Sequence, residues 1–373
     1  MLSKFDEYPI HQTPDSLAHP ATSDISFYDR TWFNGFSKSG EVYFGFGLGV
    51  YPYRDIMDGA FSVTTKGGRQ HCFYASRRAP RDRTQTQIGP LTLEVVEMMK
   101  QTRITLAEND SDITCDLLFT TRTAPVEEAK HVFMVGARKV IEATRFDLFG
   151  TWEGWIETPD GRIEVKPDDY HGIKDRSWGV RPNGEPQTGG PPAPPPAMFF
   201  IWSVMFWQDS VTHAIRFDGS NGVPMLCEGL DVTTFPTLEA VDGDAPILRK
   251  TPIVNHRIDY HPGTRHVKYA ELDFVGYDGE KTMVTVEPLM TFYMKGLGYF
   301  TRDWGQGVWK GELATGHDVF DPAAVDPLSP ENIHVQQVAR VKCGTEEGLG
   351  IFEYGCFGPY APAGFEAFLD GAK

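Results

Sequence analysis

Residues 26–50 set aromatic and aliphatic side chains against small and polar ones, with Phe27, Trp32, Phe36, Val42, Phe44, Phe46 and Leu48 as the apolar set. Alternation with a period near two predicts strands buried on one face. Lys66-Gly67-Gly68-Arg69 predicts a hairpin turn joining strands over 61–64 and 72–75. Further strands are expected over 91–95, 103–106 and 113–121, with a bulge or short helical turn at 98–100. Residues 127–139 are ambiguous and could hold a brief helix. Thr158-Pro159-Asp160-Gly161 is a strong turn signal between strands over 152–157 and 162–165. Residues 1–25 are polar, carry three prolines and read as a leading arm.

Residues 183–196 hold six prolines and three glycines. Such a segment joins neither a ladder nor a helix interior and reads as a linker or a lid. The pattern then resumes, with strands over 199–207, 225–227, 257–260, 266–275, 283–290, 336–342 and 349–354. Short strands with turn chemistry between them predict an all-β barrel or sandwich. At 373 residues the expectation is two domains, 1–187 and 188–373.

Composition narrows the function classes. A net charge of −16 disfavours a phosphate backbone or an anionic membrane surface as partner. The longest apolar run, 198–207, is too short to span a bilayer as a helix. Five cysteines, far apart and without a C-x-x-C pair, suit a reduced compartment. The first residues lack the apolar run of a signal peptide, so a cytoplasmic location is expected. Aromatic residues make up 13% of the chain, which suits β structure around an apolar pocket.

The densest chemistry lies at 170–182, where Tyr170, His171, Asp175, Arg176, Trp178 and Arg181 share thirteen positions with two glycines and a proline. A structural corner would account for it, with Asp175 paired to Arg176 or Arg181 and Trp178 plugging a barrel end. The stretch Lys174-Asp175-Arg176-Ser177-Trp178-Gly179-Val180-Arg181 also resembles the R-D-H-S-W-G-x-R signature of the carotenoid 1,2-hydratase and AttH-like superfamily. Gly49-Val50-Tyr51-Pro52 followed by Asp58-Gly59, Gly298-Tyr299-Phe300, Trp304-Gly305-Gln306-Gly307 and Gly311-Glu312 extend the likeness over most of the chain. The resemblance implies two tandem lipocalin-like domains. It further implies activities such as water addition to isoprenoid double bonds or, in fungal relatives, pericyclic ring closure. Two positions depart from the signature: its His is Arg176 here, and its leading Arg is Lys174. That His and the Trp are implicated in hydratase activity, and the Tyr-x-Asp pair that accompanies them has no counterpart around 202–207.

Other chemistries find little support. His256, His261 and His266 recur every five residues, a spacing that is neither helical nor alternating, so no metal is expected. Gly45-Phe46-Gly47-Leu48-Gly49 opens no helix, so a phosphate cradle fails on context and relief of crowding in a curved sheet is the better reading. No G-x-S-x-G elbow is present. Acid–base work at an apolar pocket remains, with no cofactor. The candidate catalytic residues are Asp175, Arg176, Trp178, Asp58 and His171. The candidate substrate contacts are Tyr51, Tyr53, Tyr170, Arg181, Trp202 and Trp207, and Glu312, Glu353 and Tyr354 are weaker candidates. Lys174, Arg176 and Arg181 are expected to lower the pKa of Asp175. The expected partner is a lipophilic isoprenoid or aromatic small molecule, with no nucleic acid and no stable membrane insertion; a homodimer stays open. An enzyme of addition, elimination or isomerisation, a non-catalytic carrier and a pericyclase all remain in view.

Overall fold

The computed structural model describes residues 4–186, 197–241 and 247–373. Every named strand pairs antiparallel, and no α-helix occurs among the described residues. Among the described residues no helix is long and apolar enough to cross a membrane. The strands form two nearly closed antiparallel barrels in tandem, the lipocalin-like architecture expected. The boundary expected near 187, and residues 187–196 of the Pro-rich segment, lie outside the described residues.

The first sheet runs from Gln70–Arg78 through Ile56–Thr65, Val42–Tyr51, Phe27–Ser37 and Tyr170–Val180 to Arg138–Thr158 and Thr114–Thr121. The strand Leu313–Phe320, which the alternation does not predict, returns from the second half of the chain. It pairs with Gln70–Arg78 and covers that edge of the first sheet. The second sheet centres on Met198–Phe206, between Ser210–Asp218 and Glu346–Phe357.

Two expectations need correction or sharpening. Residues 127–139 hold no helix: His131–Val135 folds back on Arg138–Thr158 as a hairpin, with Gly136 supplying the positive φ of 59° at the turn. Residues 98–100 form the turn between two paired strands, with Met99 at φ 62° and Lys100 N donating to the Glu97 carbonyl at 3.1 Å, and the register shift lies just before it, between Val95 and Glu97.

Alternation divides the apolar residues among three cores. Phe33, Phe44, Phe46, Phe119 and Trp152 fill the first barrel. Phe199, Ile201, Met205, Phe352 and Tyr354 fill the second. The opposite faces of the same strands meet each other, where Trp32, Phe36, Phe149 and Ile173 pack towards Phe200, Trp202, Phe206 and Phe217. The glycines at 45–49 belong to this seam. A Cβ on Gly45 would stand 2.6 Å from the Trp32 ring, and one on Gly47 2.5 Å from the Arg30 guanidinium. Glycine there leaves room for two large side chains at the barrel-to-barrel contact.

Trp152 is fully buried, meets Phe33, Phe44 and Phe119 edge-on, and donates its indole N–H to the Asn34 carbonyl at 2.8 Å. Trp152→Ala should therefore cost about 3–5 kcal/mol in urea unfolding. A loss under about 1 kcal/mol would show that the first barrel is not organised around this side chain.

Candidate active site

Cross-strand partners in an antiparallel sheet share a face. Trp32 lies opposite Asp175, Arg30 opposite Ser177, Ser177 opposite Arg145, and Asp175 opposite Asp147. These residues therefore project together into the seam. Arg30, Trp32, Arg145, Asp175 and Ser177, with Arg181, Phe200, Trp202, Phe217, Tyr299, Gln306, His334 and Glu353, surround a cavity of about 60 Å3, room for a few waters; Asp147 does not line it. Both barrels supply its walls.

Arg145 is the hub. Its Nη1 lies 2.6 Å from Glu128 Oε2, and its Nε lies 3.3 Å from Asp175 Oδ1. Glu128 Oε1 accepts the Trp202 indole N–H at 2.8 Å. Burial works against the charge of Glu128, yet Arg145 holds it below the usual carboxylate range. Asp147 has the opposite fate. It is fully buried, neither of its oxygens has a hydrogen-bond partner, and burial together with the negative Glu128 and Asp175 pushes it well above the usual range. It is the acid of this group that keeps its proton. His213, lowered to about 4 by burial, is neutral.

Asp175 is pushed up to about 6 by burial, against the pull of Arg145 and Arg181. This corrects the expected lowering by its sequence neighbours. Successive residues of a strand face opposite sides, so Lys174 points into the first barrel, over the Phe33 ring and bonded to Thr102 Oγ1. Arg176 bonds to the Arg30 carbonyl and to Asp29. Neither is a lining residue of the cavity.

Asp58 adjoins the site through Arg30. It accepts from Gly307 N at 2.5 Å and from Tyr51 at 3.3 Å, lies 3.5 Å from Arg30 Nη1, and is raised to about 6 by burial. Arg30 Nη2 donates to the Leu297 carbonyl at 2.9 Å.

Of the residues singled out from sequence, Asp175, Arg181 and Trp202 line the cavity, and Asp58 and Tyr51 stand one residue behind it. The others lie elsewhere. Trp178 is 38% exposed beside Phe146, and Arg176 keeps it company outside the cavity. His171 is stacked on Phe206 in the seam, lowered to about 3 by burial. Tyr170 packs on Phe44 inside the first barrel. Tyr53 is 39% exposed and bonds to the Pro20 carbonyl. Trp207 donates to Thr212. Glu312 is a surface partner of Arg78, and Tyr354 is buried in the second barrel.

Sequence reasoning missed Arg30, Trp32, Glu128, Arg145 and His334. The available signal was a charged side chain on the apolar face of a strand, as at Arg30 and Arg145. His334 and the weaker candidate Glu353 form a pair at 2.8 Å on the far wall, where the other ring nitrogen accepts from Tyr299 N.

Among the described residues, Glu128, Asp147 and His213 are the one group whose ligand-type atoms all lie within 4.8 Å of one another. With a proton on Asp147 the group is electrically satisfied. With Asp147 ionised, the same atoms are a donor set for a divalent cation. His256 engages Asp218 and Tyr360 instead, and His266 packs on Tyr293.

Two antiparallel barrels in tandem define a lipocalin-like class of fold, here with a charged cavity in the seam. Residues 2–366 match a family of unknown function, DUF8625, and the chain belongs to that family. No curated protein sequence matches it. The crystal structure of an AttH-like protein from Nitrosomonas europaea superposes with a TM-score of 0.53 at 13% identity, covering 88% of this chain and 92% of that one. Kievitone hydratase from Nectria haematococca superposes with a TM-score of 0.51 at 10% identity, covering 88% of each chain.

Proposed function

We propose that this protein is an enzyme that binds a lipophilic small molecule in the seam, whose walls part beyond the few-water cavity to admit it, and carries out acid–base addition, elimination or isomerisation on it. The observation that carries this reading is Asp175. Its carboxyl is raised to about 6 in a cavity walled by Trp32, Trp202, Phe200 and Phe217. A carboxyl with a pKa near neutrality can both give and take a proton at working pH. The same fold carries a hydratase in kievitone hydratase.

The surroundings of Asp175 select among reaction types. Arg30, Arg145 and Arg181 all line the cavity. Three guanidiniums disfavour a carbocation and favour negative charge developing on oxygen. The chemistry that suits the site is therefore proton transfer beside a conjugated carbonyl, through an enolate-like state. Protonation of an isolated isoprenoid alkene does not suit it. Arg176, which stands where the hydratase signature has histidine, lies outside the cavity and takes no part.

The test is mass spectrometry of small molecules released from the purified protein, followed by incubation of each with fresh protein in deuterated water. The expected result is a lipophilic carbonyl compound that gains or loses water, or exchanges a carbon-bound hydrogen, with turnover. A ligand that binds and returns unchanged and unexchanged would make the protein a carrier.

A further inference from the structure

Two donors on the cavity wall lack acceptors. Arg181 Nε and Trp32 Nε1 are buried without a hydrogen-bond partner. Arg181 is also a cation without an anion. Its Nη2 donates to the neutral Gln306 side chain at 2.7 Å and its Nη1 to the Tyr299 hydroxyl at 3.4 Å. Its guanidinium lies 4.3 Å from the centre of the Tyr28 ring and 5.7 Å from that of Tyr299. Among the described residues no carboxylate lies within ion-pair distance of it, whereas Arg30 has Asp58 and Arg145 has Glu128 and Asp175.

Buried charges are ordinarily paired, because desolvation costs several kcal/mol for an ion left alone. Stacking on two tyrosines offsets part of that cost. The planar fork of a guanidinium held this way matches a carboxylate or a delocalised enolate. The indole N–H of Trp32 is a further donor that an anionic oxygen would accept from.

We propose that the ligand is a lipophilic organic anion, a carboxylate or an acidic enolate, whose charged oxygens are bound by Arg181 with help from Trp32 Nε1. The anion supplies the partner that Arg181 lacks, and the apolar body lies against Trp202, Phe200 and Phe217. The inference rests on the seam being the ligand site, as proposed above. It adds that the ligand's charge, and not only its apolar surface, is recognised there.

The experiment uses the full chain and two matched pairs of probes: 2-naphthoate and decanoate, each against its methyl ester, titrated by calorimetry at pH 7.5. The wild-type protein should bind the acids at least about tenfold tighter than the esters, the effect of one charge-assisted pair. Arg181→Met should abolish that preference while leaving ester binding in place, Arg181→Lys should keep part of it, and Trp32→Phe should reduce it. Circular dichroism and Tm confirm that each variant folds; if Arg181→Met does not, the Lys and Trp32→Phe variants carry the comparison. Equal affinity for acid and ester in wild type, or a preference that survives in the variants, would overturn the anion inference and leave the seam as a neutral lipophilic site. Failure of all four probes to bind wild type would remove both readings.

Discussion

Replacing Asp175 with asparagine is expected to cut turnover by about 10²–10⁴ without weakening the fold. The change nearly preserves volume and removes the proton. The stability side follows from the raised pKa. Asp175 titrates near 6 in the folded chain, above its unfolded value of 3.8. It therefore contributes stability that is fully present below about pH 4 and lost as pH rises through 6. Asparagine, like the protonated acid, escapes that loss. The side chain is 17% exposed, so the gain at pH 7 is at most about 3 kcal/mol and shrinks towards pH 4. In the direction of addition, where Asp175 gives its proton, the wild-type rate should fall as pH rises through about 6. In the reverse direction it should rise over the same range. A variant that keeps full turnover but loses about 3–5 kcal/mol, the cost of breaking a buried pair, would make Asp175 a structural partner of Arg145 and nothing more.

Arg145→Met should have the largest effect on stability at the site. The substitution leaves Glu128 and Asp175 without their cation, next to the buried Asp147, where water has little access. An uncompensated buried charge costs about 3–5 kcal/mol, which urea denaturation at pH 7.5 would register. The deficit should narrow as pH falls, because protonation neutralises the stranded carboxylates. Adding Glu128→Gln should recover part of it, since the two residues are in contact and their effects are not additive. An Arg145→Met protein as stable as wild type, with an unchanged pH profile, would mean that Arg145 is not what holds these acids together.

What could be read from the chain divides along physical lines. Alternation and turn chemistry are local, and they located most strands and the hairpin at 158–161. Asp175, Arg181 and Trp202 were reachable because two of them sit in a dense stretch and the third in a long aromatic strand. The same proximity misled about Lys174 and Arg176, since neighbours along a strand point to opposite faces. The meaning of Glu128 and Arg145 comes from contacts 17 residues apart, or 74 in the case of Trp202 with Glu128. Such contacts depend on how two barrels pack, which no window of sequence displays. The strand Leu313–Phe320 escaped for the same reason, its pairing partner being far away in the chain.

That strand has a consequence for how the protein is made. Arg78 and Glu312, at the junction it forms, are 234 residues apart. At ordinary translation speeds the ribosome needs on the order of tens of seconds to cover that distance. Throughout that interval the nascent first barrel presents the bare backbone of Gln70–Arg78, a template for pairing with any other extended chain nearby. Premature termination after the first barrel would leave that template uncovered for good. The order in which the ribosome delivers the two halves thus makes the end of translation a protective event for the beginning.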